Sequence, residues 1–248
     1  MIFLYLSVAS CIAWFISTLA GGGSPIILVP LVAFLFPAPA IAPVITTAML
    51  MGNSQRLCWF WDEIDWQVTH WYWSGAVPGA ILGAYIFTQI NLEWLQLAIG
   101  SFLLLCVISS RFGTVERTFQ VPAWYFLPGG FFQAFISGLI GSSGPMLNPF
   151  YLNYGLLKKQ MIATKSLNVV GIHLIKIATY LACGAFKLED LGYGVLLGLA
   201  AIPGNWIGQY VISKMNEKTF RQIVVVLMAM SGLLMMWQQR QLIDFTFW

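Results

Sequence analysis

Two short clusters of glycine and serine, each followed by proline, interrupt apolar sequence and are the residues best suited to do chemistry. The first cluster is Gly21, Gly22, Gly23, Ser24 and Pro25, and the second is Gly141, Ser142, Ser143, Gly144 and Pro145. Proline suits the first position of a helix, and a small polar residue suits the cap before it. We therefore expect a helix to begin at each proline, capped by Ser24 in one case and by Ser143 or Gly144 in the other.

A helix that begins inside apolar sequence presents free backbone N–H groups and the positive end of its dipole, and both favour an anion. Glycine lets the backbone approach such a ligand closely. Two of these helix starts together predict a site that holds a small oxyanion from both sides. The alternative is that the glycines only allow close packing of membrane helices, although three consecutive glycines before Ser-Pro are more typical of a broken helix.

Most of the other polar side chains within apolar sequence lie in the segments that follow the two clusters, and we expect them to line the substrate path. Beside the cluster residues, the candidate substrate-binding side chains are Thr46, Thr47, Asn53 and Arg56 in the first of these segments and Ser166, Asn168 and Lys176 in the second, with Lys165 and His173 as further candidates. Hydroxyl, amide and cationic groups can all donate hydrogen bonds to an oxyanion.

Arg56 and Lys176 are predicted to be cationic steps at the two mouths of the path. A lysine at the centre of a span costs at least about 2.5 kcal/mol, which argues against an idle Lys176. The alternative is that both side chains snorkel to the membrane surface. Lys165 is expected to anchor its helix at the interface, and His173 to pack or hydrogen bond rather than carry protons.

The amino-acid composition indicates the kind of protein that holds these residues in place. Of 248 residues, 59% are hydrophobic, 15% aromatic and 8% charged, and mean hydropathy is +0.79. Soluble domains average about 25% charged residues, so the sequence predicts an all-α polytopic membrane protein. The net charge of +3 is small and scattered, which excludes a nucleic-acid partner and leaves the lipid bilayer and a small anionic substrate.

Ten hydrophobic segments are delimited by charged residues, proline or glycine clusters. They are Ile2 to Ala20, Pro25 to Phe36, Ile41 to Trp61, Val68 to Thr88, Leu92 to Ser109, Ala123 to Ile140, Pro145 to Tyr154, Met161 to Cys183, Leu191 to Ser213 and Thr219 to Trp237. The second and the seventh are too short to cross a bilayer, and each directly follows a Gly/Ser cluster, which is typical of discontinuous or re-entrant helices.

The two halves of the chain repeat one another. Phe15, Ile16, Ser17, Leu19, Gly21 and Pro25 recur as Phe135, Ile136, Ser137, Leu139, Gly141 and Pro145, 120 residues later. Further matches continue at offsets of 119 and 125, including Thr47 with Ser166 and Pro78-Gly79 with Pro203-Gly204. We therefore divide one membrane domain into an N-terminal repeat, 1–113, a linker, 114–122, and a C-terminal repeat, 123–248. Each repeat has a broken Gly-rich helix pair and three spanning helices.

Positive charges predict that the repeats are inverted, because Lys and Arg accumulate in short cytoplasmic loops. If each broken pair enters and returns, one side of the membrane holds Arg56, Arg111, Arg117, Lys158, Lys159, Lys165, Lys214, Lys218 and Arg221, and the other holds Lys187 and Arg240. Parallel repeats would divide the charges almost evenly. This places both termini on the periplasmic or extracellular side, with Ile2 to Ala20 kept as the first membrane segment.

Every carboxylate lies in a predicted loop or at the end of a predicted segment, so none lies within the interior of a span. Carriers coupled to protons or sodium often use intramembrane carboxylates, so passive movement of an anion, or coupling through its own protonation, is favoured. An inside-negative potential drives anions outward by about 2.3 kcal/mol per charge per 100 mV, which favours export. The four cysteines stand singly, without metal-ligand spacing, so no metal or cofactor is expected, and no cluster suits an enzyme.

In its duplicated Gly-rich segment with a downstream proline, the chain resembles the TauE/SafE sulfite exporter family. The segments that carry the resemblance are Gly21 to Pro30 and Ser137 to Pro149, with the Ala/Thr/Ser-rich helices Ala42 to Arg56 and Ala163 to Lys176. The resemblance covers nearly the whole chain and implies a bacterial inner-membrane permease for sulfite or a small organosulfonate such as sulfoacetate. The second cluster departs from the family pattern, since Ser142 and Ser143 stand where glycines are usual.

The leading hypothesis is therefore an anion transporter with no enzyme activity. An anion channel, or a permease for another small oxyanion, is the alternative within transport. A membrane-embedded assembly or enzyme subunit is the alternative from a different class, and it has little support in short loops without a soluble domain. Oligomeric state has no signal in the sequence.

Overall fold

The computed structural model describes residues 2–19, 21–36, 38–87, 104, 120–143, 145–184 and 188–238. In these ranges the chain is helical and has no strands. The α-helices are α1 Ile2–Leu19, α2 Ser24–Leu35, α3 Ala38–Trp59, α4 Trp66–Phe87, α5 Phe126–Ile140, α6 Asn148–Tyr154, α7 Lys158–Ala182, α8 Leu188–Lys214 and α9 Glu217–Gln238. Short 3-10 turns, Trp61–Glu63 and Ala123–Tyr125, precede α4 and α5.

The helices follow the hydrophobic segments, which confirms a helical protein with apolar spans. Lys158–Ala182 and Asp190–Lys214 are long and apolar enough to cross a membrane, and Leu4–Leu19 is a shorter apolar helix. The predicted segment Leu92 to Ser109 lies outside the described residues except at residue 104. Residues 114–119 of the predicted linker and Gly144 also lie outside them.

Helix α4 packs on α5, and α1 packs on α8, with backbones in close contact. A methyl group added to Gly79 of α4 would lie 2.3 Å from the carbonyl oxygen of Phe131, and one added to Gly204 of α8 would lie 2.1 Å from that of Cys11. Any larger residue at these glycines would collide with backbone, which cannot move aside as a side chain does. Glycine is therefore required where these helix pairs cross.

The two glycine contacts occupy corresponding positions in the sequence repeat. Gly79 and Gly204 are 125 residues apart, and Cys11 and Phe131 are 120 apart. Helices α3 and α7 also occupy corresponding positions, since α3 packs on α8 and α7 packs on α4. Helices α3 and α7 pack on each other as well. Helices α3 and α7, which carry most of the candidate polar residues, thus lie between the two pairs.

Three connections rich in charge meet at one end of the bundle. The ammonium of Lys159, which opens α7, lies 3.9 Å from the carboxylate of Glu63, which follows α3. The backbone N–H of Lys158 donates to the Glu217 carboxylate at the start of α9, at 3.0 Å. The turn after α3, the start of α7 and the α8–α9 connection therefore lie on the same side.

Candidate functional site

The first cluster reverses the chain tightly between α1 and α2. Gly21, Gly22 and Gly23 all have positive φ angles, 61°, 133° and 127°, a backbone region that glycine adopts without strain. The N–H of Gly22 donates to the carbonyl of Ser17 at 2.7 Å, which ends α1. The break predicted from three consecutive glycines is therefore present, and the chain re-enters a helix immediately after it.

The cap of α2 differs by one residue from the sequence prediction. Gly23 is the capping residue, Ser24 is the first helical residue and Pro25 the second. The Ser24 hydroxyl is 3.5 Å from the Met49 sulfur and makes no capping hydrogen bond. With glycine as the cap, the first N–H groups of α2 have no side-chain acceptor from that residue, so they can serve a ligand.

The second cluster makes a longer break than the first. Helix α5 ends at Ile140, Gly141 has a φ angle of 85°, and α6 begins only at Asn148. The expectation that this helix begins at Pro145 is wrong, because residues 145–147 form a turn in which the N–H of Asn148 donates to the Pro145 carbonyl at 2.9 Å. The two breaks are thus not identical copies, and α6 has only seven residues.

Lys165 is the side chain that joins the two breaks. Its ammonium lies 2.5 Å from the Oδ1 atom of Asn148, the first residue of α6. A methyl group added to Gly22 would lie 2.3 Å from the same Nζ atom, so the ammonium also touches the first break. Lys165 is 5% exposed, and it therefore does not anchor its helix at the interface as predicted. Burial places its charge between the first break and the start of α6.

Arg56 is held inside the bundle and not at a mouth, contrary to the prediction. It is 3% exposed, and its Nε–H lies 3.0 Å from both Thr18 Oγ1 and Asn205 Oδ1. An Nη2–H donates to the Trp14 carbonyl at 3.2 Å, and the guanidinium stands 4.7 Å from the Trp14 ring centroid. Neutral oxygens and an aromatic face thus hold the cation between α1, α3 and α8.

Lys176 is likewise buried rather than placed at a mouth, with 0% exposure. Its ammonium donates to the carbonyl of Gly141 at 2.5 Å and to the hydroxyl of Ser137 at 3.3 Å. These acceptors belong to the end of α5, where unpaired carbonyls and the helix dipole favour a cation. A helix end within reach is the physical reason why this side chain does not snorkel.

The remaining predicted side chains divide into those with protein partners and those without. The Thr47 hydroxyl and the Asn53 amide donate to backbone carbonyls four residues earlier, at 3.0 and 2.8 Å, and Asn168 contacts Tyr151 and Trp73 at 3.1 Å. Ser143 and Ser166 are buried, and Ser142 is half-buried. By contrast, His173 Nδ1 is buried with no hydrogen-bond partner, and the buried Thr46 hydroxyl lies beside that of Tyr180.

Three residues of the site were missed by sequence reasoning. Asn148 holds Lys165, Asn205 holds Arg56, and the Ser137 hydroxyl accepts from Lys176. Ser137 had a signal, because it recurs with Ser17 four residues before each cluster. Asn205 and Asn148 had none beyond being polar in apolar sequence, since their roles depend on which helices meet.

Three buried cations make the site positively charged. Arg56, Lys165 and Lys176 are all buried, and among the described residues none of them forms an ion pair. Uncompensated buried cations are costly unless hydrogen bonded or neutralised. The Lys165 ammonium donates to Asn148 with one of its three N–H groups, so donors remain for an anion. The arrangement can bind a small oxyanion by charge and hydrogen bonds.

Comparison with known proteins identifies the family of the chain. Residues 6–235 match the family described as sulfite exporter TauE/SafE. The chain is 23% identical to the probable membrane transporter protein YunE of Bacillus subtilis (strain 168), an alignment that covers 92% of this chain and 93% of that protein. No solved structure matches the chain. Both matches describe transport across a membrane rather than an enzyme, and the chain belongs to the sulfite exporter TauE/SafE family of membrane transporters.

Proposed function

We propose that this protein moves a small sulfur oxyanion, sulfite or an organosulfonate such as sulfoacetate, across the cell inner membrane, in the direction of export. The anion binds where the starts of α2 and α6 meet Lys165. Family membership supports transport and sulfite as the first substrate to test. Ser142 and Ser143 in the second break support a test of the larger sulfonate as well.

One observation carries the proposal: the buried ammonium of Lys165 touches both breaks and has no carboxylate partner among the described residues. Lys165 also interacts electrostatically with Arg56, so two positive charges act on this region. Inside a membrane domain, charges attract strongly because water does not screen them. A monovalent or divalent oxyanion beside Lys165 would offset this unfavourable concentration of positive charge.

Helix α2 supplies the second attraction. It has twelve residues and begins two residues after Gly22, which lies beside the Lys165 ammonium, so its free N–H groups and its dipole add to the lysine charge. Glycine at residue 22 lets the Lys165 ammonium lie directly beside the backbone of the first break. The Ser17 hydroxyl, buried without a partner in the helix that ends at this break, is a further donor.

The corresponding contacts of the two halves support inverted repeats. Helix α1 packs on α8 as its repeat counterpart α5 packs on α4. Gly21 lies beside Met161, and its counterpart Gly141 lies beside Ala42. Ala42 and Met161 are themselves 119 residues apart, as expected for equivalent positions. We propose the division into repeats 1–113 and 123–248 with a linker, 114–122, on this basis. Substrate sites of such transporters lie near the midplane between repeats.

The charged end of the bundle supports the proposed orientation. Lys158, Lys159 and Lys218 lie beside connections that meet there, and positive loops stay on the cytoplasmic side. Both termini then lie on the periplasmic side. An inside-negative membrane potential pushes an anion bound at Lys165 outward, so export needs no intramembrane carboxylate.

Transport assays with matched lysine variants test the proposal. Purified protein in liposomes should take up labelled sulfite or sulfoacetate with saturable kinetics, and Lys165→Met should lower uptake at least tenfold. Lys165→Met removes an unpaired buried charge, so we expect the variant to fold. Lys159→Met is the control, because Lys159 is exposed and pairs only with Glu63 across 3.9 Å.

Three results would contradict the proposal. No uptake of either anion by the folded wild-type protein would remove the substrate class. Flux that rises without saturation would indicate a channel. Equal uptake by Lys165→Met and Lys159→Met would remove Lys165 from the site.

A further inference from the structure

Arg56 and Lys165 approach the same short stretch of chain, the last turn of α1 and the first break. The Nε–H of Arg56 lies 3.0 Å from Thr18 Oγ1. The ammonium of Lys165 lies beside Gly22, four residues after Thr18, which is about one helical turn or about 5 Å. Two buried cations from different helices therefore meet the same end of α1.

The two cations also belong to the same end of the bundle. Helices α3 and α7 pack on each other, and the N–H of Asp65, which follows α3, donates to the Thr164 hydroxyl of α7 at 2.8 Å. Lys165 is the next residue after Thr164. Arg56 lies three residues before the end of α3, which is about 5 Å of helix rise. Both side chains thus leave their helices near the point where α3 ends.

No carboxylate among the described residues pairs with either cation. The carboxylate of Asp65 is turned to another partner, since its Oδ1 atom accepts from the N–H of Val68 at the start of α4, at 2.9 Å. Arg56 and Lys165 instead act on each other electrostatically, and like charges repel. The protein therefore leaves a pair of positive charges to be neutralised by something else.

A ligand beside Lys165 is exposed to both of these charges. A single negative charge would neutralise one cation and leave the other buried without a counterion, which is costly in the low dielectric of a membrane domain. Two negative charges on one ligand would neutralise both. At an effective dielectric constant of about 20, a cation about 10 Å away raises the affinity for each ligand charge about tenfold.

We infer that the site selects dianions, such as sulfoacetate with both acidic groups ionised, over monoanions of the same size, and that Arg56 sets this selectivity. The inference rests on the proposed function, because it specifies the charge of the substrate that binds at Lys165. Arg56 acts through its charge, which bonds from its guanidinium to Thr18, Asn205 and Trp14 hold in place. A sulfonate that carries an ammonium group would be disfavoured, since both cations would repel that group.

Displacement of labelled sulfite from the purified full-length protein at neutral pH tests the selectivity. Sulfoacetate carries two negative charges. Sulfoacetamide has nearly the same size but carries one, because a neutral amide replaces the carboxylate. The wild type should bind sulfoacetate at least tenfold more tightly than sulfoacetamide.

Three variants test whether Arg56 is responsible. Arg56→Gln removes the charge but keeps an amide that can hydrogen bond, and it should lower the preference for sulfoacetate about tenfold. Arg56→Lys keeps the charge and should keep the preference. Lys159→Gln is the control, because this exposed ammonium lies 3.9 Å from Glu63 and water and salt screen it, so its removal should leave the preference unchanged.

The outcomes separate this inference from the proposed function. A preference for sulfoacetate that falls in Arg56→Gln and persists in Arg56→Lys and Lys159→Gln supports the inference. Equal affinities of the wild type for the two ligands overturn it while sulfite binding, and with it the proposed function, stands.

The role of Arg56 is overturned by a preference that Arg56→Gln leaves unchanged, by its loss in Arg56→Lys, or by an equal fall in Lys159→Gln. The wild-type comparison and Arg56→Lys decide the matter even where Arg56→Gln does not fold. No sulfite bound to the folded wild type contradicts both this inference and the proposed function.

Discussion

Substitution of Gly22 by alanine tests the contact between the first break and Lys165. The added methyl group would lie 2.3 Å from Lys165 Nζ and 3.0 Å from its Cε atom. Ordinary contact distances are about 3.5–4.0 Å, so the ammonium must move by about 1 Å or more. Because it is the end of a flexible side chain, it can move without unfolding the protein, but it then leaves its 2.5 Å contact with Asn148.

The cost has two parts. Alanine at a φ angle of 133° is strained by about 1–3 kcal/mol. Loss of the hydrogen bond from the Lys165 ammonium costs about 1.5–3 kcal/mol more. Displacement of the charge from the start of α2 should also weaken anion binding, so we expect Gly22→Ala to reduce sulfite uptake at least tenfold.

Gly184→Ala is the control that separates backbone strain from displacement of the Lys165 ammonium. Gly184 also has a positive φ angle, 67°, but a methyl group there meets nothing within 4 Å. Both variants should lose thermal stability, and only Gly22→Ala should lose sulfite uptake into liposomes. Uptake by Gly22→Ala equal to that of Gly184→Ala would refute the placement of Lys165 in the substrate site.

Three further predictions follow from packing, hydrogen bonding and topology. Gly79→Ala and Gly204→Ala should each lower the thermal midpoint strongly, because the added methyl meets a backbone carbonyl at 2.3 or 2.1 Å. Asn205→Leu should destabilise the protein by about 1.5–3 kcal/mol in chemical unfolding, since it removes an acceptor 3.0 Å from the Arg56 guanidinium. Two variants, one retaining only Cys183 and one retaining only Cys58, should differ when intact cells are treated with an impermeant maleimide. Cys183 should be labelled and Cys58 should not, because these exposed thiols lie on opposite sides of the membrane in the proposed topology.

The glycine substitutions have a matched control, and each prediction has a result that would contradict it. Gly192→Ala lies in the same helix as Gly204 with nothing within 4 Å of the added methyl, and it should not destabilise. Stability unchanged by both Gly79→Ala and Gly204→Ala would contradict the close helix contacts. Stability unchanged in Asn205→Leu would mean that Arg56 has enough partners without it. Labelling of Cys58 but not Cys183 would reverse the proposed orientation.

The helices and the two breaks could be predicted because their signals are local. Runs of apolar residues limit each helix, and Gly21 to Gly23 break the chain wherever they occur, since they suit positive φ angles. The repeat also pairs Gly79 with Gly204 in the sequence, and the two residues make equivalent contacts with Phe131 and Cys11. Local and periodic patterns therefore gave most of the fold.

The partners of the buried cations could not be predicted. The sequence predicts Arg56 and Lys176 at the two mouths because inverted repeats would put them on opposite sides of the midplane, but tertiary packing supplies Arg56 with Asn205 and Lys176 with the end of α5. The start of α6 was misplaced because a turn at residues 145–147 competes with a helix that begins at Pro145. Lys165 reaches both breaks only because α7 crosses them, and no spacing in the sequence records that.

The most direct test of the account is anomalous diffraction from crystals of the protein soaked in selenite, a heavier analogue of sulfite. The account predicts a selenium peak within hydrogen-bonding distance of Lys165 Nζ, beside the N–H groups that open α2. A peak elsewhere in the domain and none at Lys165, in crystals of protein whose sulfite transport is saturable, would contradict it.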